Sequence, residues 1–349
     1  MSDDFKRALD AALTDMGSLP ATGAVTLLTS PSKEEVAYFT ERLRGETAEH
    51  KRSLFETMVS LAEGSFELDF TDLYWPFLHD PDAEVRRHAI EGLWEDERAD
   101  LVPEMLAFLA SDPAVPVRAA AALSLGRLLW LVECDELPMR FGGLIEAALR
   151  QAFDNLSEDI EVRRRALEAI AYVNEDWVRA MIDRAYQHDD ERMRVSAVFA
   201  MGRNADQFWT ETVLSELENE AAAIRFEAAR AAGEMQLRRS VSTLIRMVED
   251  PDAEVQQMAL WALGQVGGRR ARAALERFAE SEDEAVSEAA SEALEEIEFS
   301  DFQFDLMAVE GAEESLGEFY LGEDEEADDG DDVDIDEDED WSDDALGLN

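Results

Sequence analysis

The chain has 349 residues, 46% of them apolar, so a sizeable core is possible; 82 acids against 31 bases leave a net charge of -51. One cysteine, Cys134, excludes an intramolecular disulfide and any multi-cysteine metal site, and its ordinary role is a small buried residue. The summed negative field argues against nucleic acid as a ligand.

The acidity is spread along the chain. Residues 299–349 hold 22 acids and no Lys or Arg, and the other 298 residues still hold 60 acids against 31 bases. Lys occurs only at Lys6, Lys33 and Lys51. An acid excess with so little Lys predicts a cytoplasm kept at molar salt, where charges are screened to within about 3 Å. A decoy that imitates nucleic acid for a basic partner is the rival reading, but a decoy needs no loss of Lys.

Residues 1–31 predict a short amphipathic helix and a linker, without the charged-then-apolar order of a signal peptide. Apolar runs such as Leu128–Val132 are too short to span a bilayer, so a soluble, cytoplasmic protein without a membrane partner is expected. Ser32 and Glu35 form a capping box that opens a helix through Arg44, and a second helix follows through Ala62. Residues 32–70 read as a degenerate N-terminal capping repeat, with Phe66–Phe70 as its link to the first clear repeat.

Residues 71–298 are repetitive. Asp80-Pro-Asp-Ala-Glu-Val85 returns as Asp250-Pro-Asp-Ala-Glu-Val255, and between them one frame recurs: an apolar anchor, usually followed by Arg, with Ala four places on. The anchors are Val85, Val117, Val162, Met193, Ile224, Val255 and Val286, spaced by 32, 45, 31, 31, 31 and 31 residues. Such a period fits two short helices and their turns, about seven times over. Asp-Pro at 80–81, 112–113 and 250–251 reads as an N-cap followed by Pro at the first helical position, and Ser281 with Glu284 as a capping box. The small Ala lets neighbouring helices approach, and Gly126, Gly202, Gly233 and Gly264, nine places after their anchors, read as helix ends. The longer step contains an inserted loop or extended turn at about Leu131–Gly143. No unit can hide its apolar face alone, so consecutive units must stack.

The tail divides into an apolar-acidic segment at 299–321 that has enough apolar surface to dock, and an acidic segment at 322–349 expected to be disordered.

The frame Asp-Pro-x-x-x-Val-x-x-x-Ala with Leu-Gly at the helix end, carried most fully by Asp112–Gly126 and Asp250–Gly264, resembles the HEAT-like repeats first named for phycobilisome lyases. Phe66–Phe70 followed by Asp80–Trp94 also looks like prokaryotic HEAT-repeat proteins. The resemblance implies an all-α, right-handed α-α superhelical solenoid and leaves function open, because such repeats serve unrelated proteins. Deoxyhypusine hydroxylase, which uses HEAT-like repeats, ligates two irons through His-Glu pairs. Here the four histidines precede Lys51, Asp80, Ala89 and Asp189, so those pairs are absent.

No catalytic, cofactor-binding or metal-binding constellation stands out. The Arg ladder after the anchors (Arg86, Arg118, Arg163, Arg194 and Arg225) is expected to meet acids or carbonyls of adjacent turns. The position six after each anchor points away from the buried stripe, and it includes Phe199, Arg230 and Trp261, with Phe226 and Met258 nearby. If the second helices line the concave face, these five form an apolar strip around an Arg, of the kind that binds partners; superhelical twist could instead tuck them between helices. The expectation is a non-enzymatic scaffold or adaptor that binds a protein or peptide on that face. The alternative is a lyase-like or assembly-factor protein handling a cofactor or a cofactor-bearing partner.

Overall fold

The computed structural model describes residues 3–14 and 22–299, and among these every regular element is helical. The readings of the tail at 300–349 and of residues 15–21 lie outside the described residues. The chain begins with α1 (Asp3–Thr14), α2 (Thr22–Val25), α3 (Lys33–Arg44) and α4 (Ala48–Glu63). It continues through α5 (Thr71–Tyr74), α6 (Ala83–Gly92), α7 (Leu101–Ser111), α8 (Val115–Glu133), α9 (Gly142–Asp154) and α10 (Ile160–Ile170). Then come α11 (Asp176–Tyr186), α12 (Glu191–Asn204), α13 (Thr210–Glu216), α14 (Ala222–Glu234), α15 (Val241–Met247), α16 (Ala253–Val266) and α17 (Gly268–Ala279). A last helix, α18, covers residues 284–299.

From α4 to α16 each even-numbered helix packs on the next even-numbered one, and from α7 to α15 each odd-numbered helix packs on the partner directly after it. The packing runs between consecutive units, as in an all-α solenoid. The anchors through Val255 are buried, and the Ala four places on is fully buried in all seven units, from Ala89 to Ala290. Val286 is only half-buried, as the anchor of the last described unit.

The turns before the second helices draw on two polar positions. Five residues before the anchor, a side chain accepts the N–H two places on: Asp80 from Asp82, Asp112 from Ala114, His188 from Asp190, Asn219 from Ala221, Asp250 from Asp252 and Ser281 from Asp283. Three residues before the anchor sits the N-cap in five units: Asp82, Asp159, Asp190 and Asp252, with Asp283 bonding to the Ala285 N–H. This corrects the expected caps. Asp80 and Asp250 close the turn instead of capping the helix, Pro81 and Pro251 lie inside that turn, and the box expected at Ser281 is replaced by Asp283. The box at Ser32 and Glu35 does form.

The Arg ladder ties one turn to the next. Arg86 is bidentate to Asp112 at 2.9 Å, Arg225 to Asp250 at 2.8 Å, and Arg118 to Glu158 at 2.7 and 3.1 Å. Arg163 and Arg194 have no such acid ahead of them and bond backbone carbonyls, Arg163 to Phe153 and Arg194 to His188 and Asp189. The ladder also begins one unit earlier than the repeat frame suggests, with Lys51 on α4 buried against Asp80.

The glycines nine places after the anchors lie within helices and do not end them. An added Cβ on Gly126 would sit 2.8 Å from the Ala169 Cα, on Gly202 2.7 Å from the Ala231 Cα, on Gly233 3.1 Å from the Ala262 Cα and on Gly264 3.0 Å from the Ala293 Cβ. Each Gly therefore admits the next second helix to near backbone contact. α8 runs past Gly126 to Glu133, because Leu125, Leu128, Leu129 and Val132 continue its buried stripe. Most of the expected insertion loop thus shrinks to the turn before α9, and Cys134, just past the helix, is exposed where a buried residue was expected. α8 has the length and hydropathy to cross a bilayer, and 67% of that stretch is buried inside the stack.

Two alanine substitutions separate these effects. Gly126→Ala should destabilise by about 1–3 kcal/mol, because the methyl meets the Ala169 backbone. Gly143→Ala, in α9 with nothing within 4 Å, should stabilise by about 0.5–1 kcal/mol. Urea unfolding of the two variants measures both signs.

Candidate functional site

The residues two, three and six places after the anchors share one side of the second helices, where most are half-buried and a few, such as His88, Ala119, Ala120 and Ser196, are buried. On α14, α16 and α18 that side holds a depression of about 650 Å³. Three of the five candidate residues, Phe226, Met258 and Trp261, line it, together with Ala289 and Ala293. Its rim carries Glu254, Glu288, Glu292 and Glu296, and no basic residue lines it. Trp261 is 37% exposed, and its ring lies over Gly233, so it is both wall and packing. The four rim carboxylates were missed as a group. Their signal was the Glu of the last helix at 288, 292 and 296, where α16 carries Gln257, Trp261 and Gln265.

Phe199 and Arg230 do not join this depression. The Arg230 guanidinium stacks on the Phe199 ring at 4.3 Å and is held by Glu234 at 3.1 Å and by Glu227 at 3.6 Å. One step earlier, Glu168 receives Arg164, Arg165 and the Ser196 hydroxyl. The outward side of α10, α12 and α14 is thus a belt of mutually satisfied charges, with Arg230 neutralised within it. Paired in this way, Arg230 is no free anchor for a ligand.

Within the belt, Glu227 stands out. Burial pushes its carboxyl up to about 7, against the pull of Arg230 and with help from Glu168 and Glu234. Its Oε2 makes no hydrogen bond, since the Arg230 nitrogen at 3.6 Å is near enough to attract but too far to donate. The four histidines serve local needs. His50 bonds Glu46, His79 lies 3.1 Å from Glu104, His88 lies 3.2 Å from Glu91, and His188 closes a turn.

A folded-state value above the ordinary 4.5 means that protonated Glu227 favours folding. Its contribution is complete below about pH 4.5 and is lost as the pH climbs through 7. Glu227→Gln should therefore stabilise the chain at pH 8, by an amount on the order of 2 kcal/mol, and leave it little changed at pH 4.5. Melting temperatures of both proteins across that range test the difference.

The model for HEAT repeats matches residues 73–133 and 210–295, which carry the first two anchors and the last three. No curated protein matches the chain. Similar solved structures include YibA of Escherichia coli, at 14% identity and a TM-score of 0.44, covering 85% of this chain and 97% of that one. Human deoxyhypusine hydroxylase in complex with glycerol is 17% identical with a TM-score of 0.33, covering 76% and 96%. The CpcE–CpcF complex of phycocyanin lyase from Nostoc is 16% identical with a TM-score of 0.48, covering 77% and 96%. Identities this low say nothing about activity. Residues 73–133 and 210–295 are thus HEAT repeats, and the same packing frame runs from Val85 to Val286.

Proposed function

We propose that the chain is a non-enzymatic scaffold that holds a basic, apolar-faced segment of a partner protein on α14, α16 and α18. The observation that carries this reading is the depression with Phe226, Met258 and Trp261 in its wall and only carboxylates among its charged lining. An amphipathic helix buries its apolar stripe in such a groove, and its Lys or Arg side chains reach over the edge to the acids. An acidic segment is repelled by the same rim, which makes the chain's own acidic tail a poor occupant.

Trp261 is nearly two-thirds buried, so removing it tests packing and binding at once. Charge reversal at two exposed rim positions, Glu288→Lys with Glu292→Lys, is the cleaner probe. A labelled helical peptide of Lys and Leu should bind the full chain and bind the double variant at least about tenfold more weakly, while a Glu and Leu peptide shows the reverse order. The melting temperature should stay within about 2 °C, since exposed charges far from other features cost little. Equal affinity of the Lys and Leu peptide for both proteins would overturn the reading.

A further inference from the structure

Two of the molecule's hollows have carboxylates alone among their charged lining, the depression under Trp261 and a cavity of about 400 Å³ under Trp94. The opposite charge collects on the first helices of the last two units. Residues 235–248 and 255–275 contain no acid, in a chain with 82 of them, and they carry six arginines. Arg238 and Arg239, in the tight turn that leads into α15, return one 31-residue period later as Arg269 and Arg270 in the first turn of α17. α15 packs against α17, and Arg270 donates to the Ser242 hydroxyl at 3.0 Å. The two arginine pairs thus stand side by side, about one helix spacing of 8–10 Å apart. All four side chains are exposed.

An exposed guanidinium is ordinarily just solvated, but elsewhere this molecule pairs its arginines closely. Those of the ladder meet carboxylates or carbonyls, and those of the belt meet Glu161, Glu168, Glu227 and Glu234. Among the described residues, Arg238 and Arg269 have neither a hydrogen bond nor a salt bridge, and Arg270 has only the neutral Ser242. Of the four, only Arg239 is neutralised, by Glu211 on α13. Neighbouring cations without counter-charges repel one another, and an anion between them removes that cost. The start of α17 adds to the same field, because no side chain caps its N–H groups.

We propose that this face docks a short acidic segment of a partner protein, whose carboxylates pair with Arg238, Arg269 and Arg270. Each guanidinium can donate two parallel N–H bonds to one carboxylate. Carboxylates three residues apart on an extended chain lie about 10 Å apart, which matches the step from one arginine pair to the next. The patch is short. Glu211 and Glu218 bound it on the α13 side, and Glu276 lies about 10 Å further along α17. A nucleic acid, which needs a longer basic track, would run onto these acids. At physiological salt, charges more than about 8 Å away are screened, so the local arginines outweigh the net charge of the chain.

Fluorescence anisotropy of the full chain with a labelled Glu-Glu-Gly-Glu-Glu peptide at physiological salt tests the patch. The peptide should bind at millimolar concentration or below, and its Gln counterpart should give no measurable change. Arg238→Glu with Arg269→Glu should weaken the acidic peptide at least about tenfold, and Arg238→Gln with Arg269→Gln about threefold or more. Arg7→Glu with Arg44→Glu, an equal change of net charge on α1 and α3, should bind like the parent. All variants should melt within about 2 °C of the parent, since each position is exposed. No binding of the acidic peptide at millimolar concentration, equal affinity of the Arg238→Glu with Arg269→Glu variant, or an equal loss in the α1 and α3 control would each overturn the proposal. So would tighter binding of a short labelled oligothymidylate than of the peptide. Self-association of the parent that is lost in the Arg238→Glu with Arg269→Glu variant would give the patch to acids of a second copy, and would overturn it as well. The residues involved are separate from those on α14, α16 and α18, so either site can fail without the other.

Discussion

Near backbone contact between successive second helices sets the spacing of the stack. Gly126 faces Ala169, Gly202 faces Ala231, Gly233 faces Ala262 and Gly264 faces Ala293; a further methyl would clash at the first two pairs and crowd the last two. The partners stand nine places after one anchor and seven after the next, so the contact repeats with the frame. At this separation the fully buried Ala four places after each anchor completes a small-residue seam, and the larger apolar side chains interdigitate to either side of it. The third unit puts Ala171 where the second, fourth, fifth and sixth put Gly, and there the next unit reaches across differently, with the Asn204 amide bonded to the Ala171 carbonyl at 2.9 Å.

The seam sets distance, and the basic ladder sets registry. A buried guanidinium that finds both a carboxylate in the next turn and carbonyls in its own turn can sit in one place only, which specifies the stacking even where its net contribution to stability is small. The rule for the rungs other than Arg118, which reaches Glu158 four before its anchor, is local. Where the residue five before the next anchor is Asp, as at Asp112 and Asp250, the preceding Arg is bidentate to it. Where that residue is His188 or Asn219, the preceding Arg bonds backbone carbonyls. The turn survives either way, because Asp, His, Asn and Ser can all accept the N–H two places on. One polar position thus serves the turn in its own unit and, when it is Asp, the bridge to the unit before.

These two devices explain what could be read from the amino-acid order and what could not. Anchors, buried alanines and paired helices follow from periodicity, because burial every three or four residues is imposed by the helix itself. Gly126 was misread because Gly near a helix end and Gly at a close crossing look alike in one dimension; only the Ala seven places after the next anchor tells them apart. The caps moved by two residues because Asp-Pro-Asp offers two acceptors, and the anchor distance chooses the second. Lys51 escaped notice because its own unit lacks the frame, although its partner Asp80 stands where Asp112 and Asp250 do. On the outward side, the position six after the anchor at Trp261 and the nearby Phe226 and Met258 come together, but whether Phe199 and Arg230 face outward or each other depends on the offset between units, which sequence spacing does not contain.

The exposed side of the second helices is divided by charge pairing. In its middle, Arg164, Arg165 and Arg230 are consumed by Glu161, Glu168, Glu227 and Glu234, so this part of an acidic protein presents little net charge. Toward either end the basic partners run out: the cavity under Trp94 and the depression under Trp261 each combine apolar walls with carboxylates that no lining Arg or Lys balances. Both hollows use the positions three and six after an anchor, Ala120 and Leu123 at one and Met258 and Trp261 at the other. The frame that builds the core thus also decides where the surface is left uncompensated.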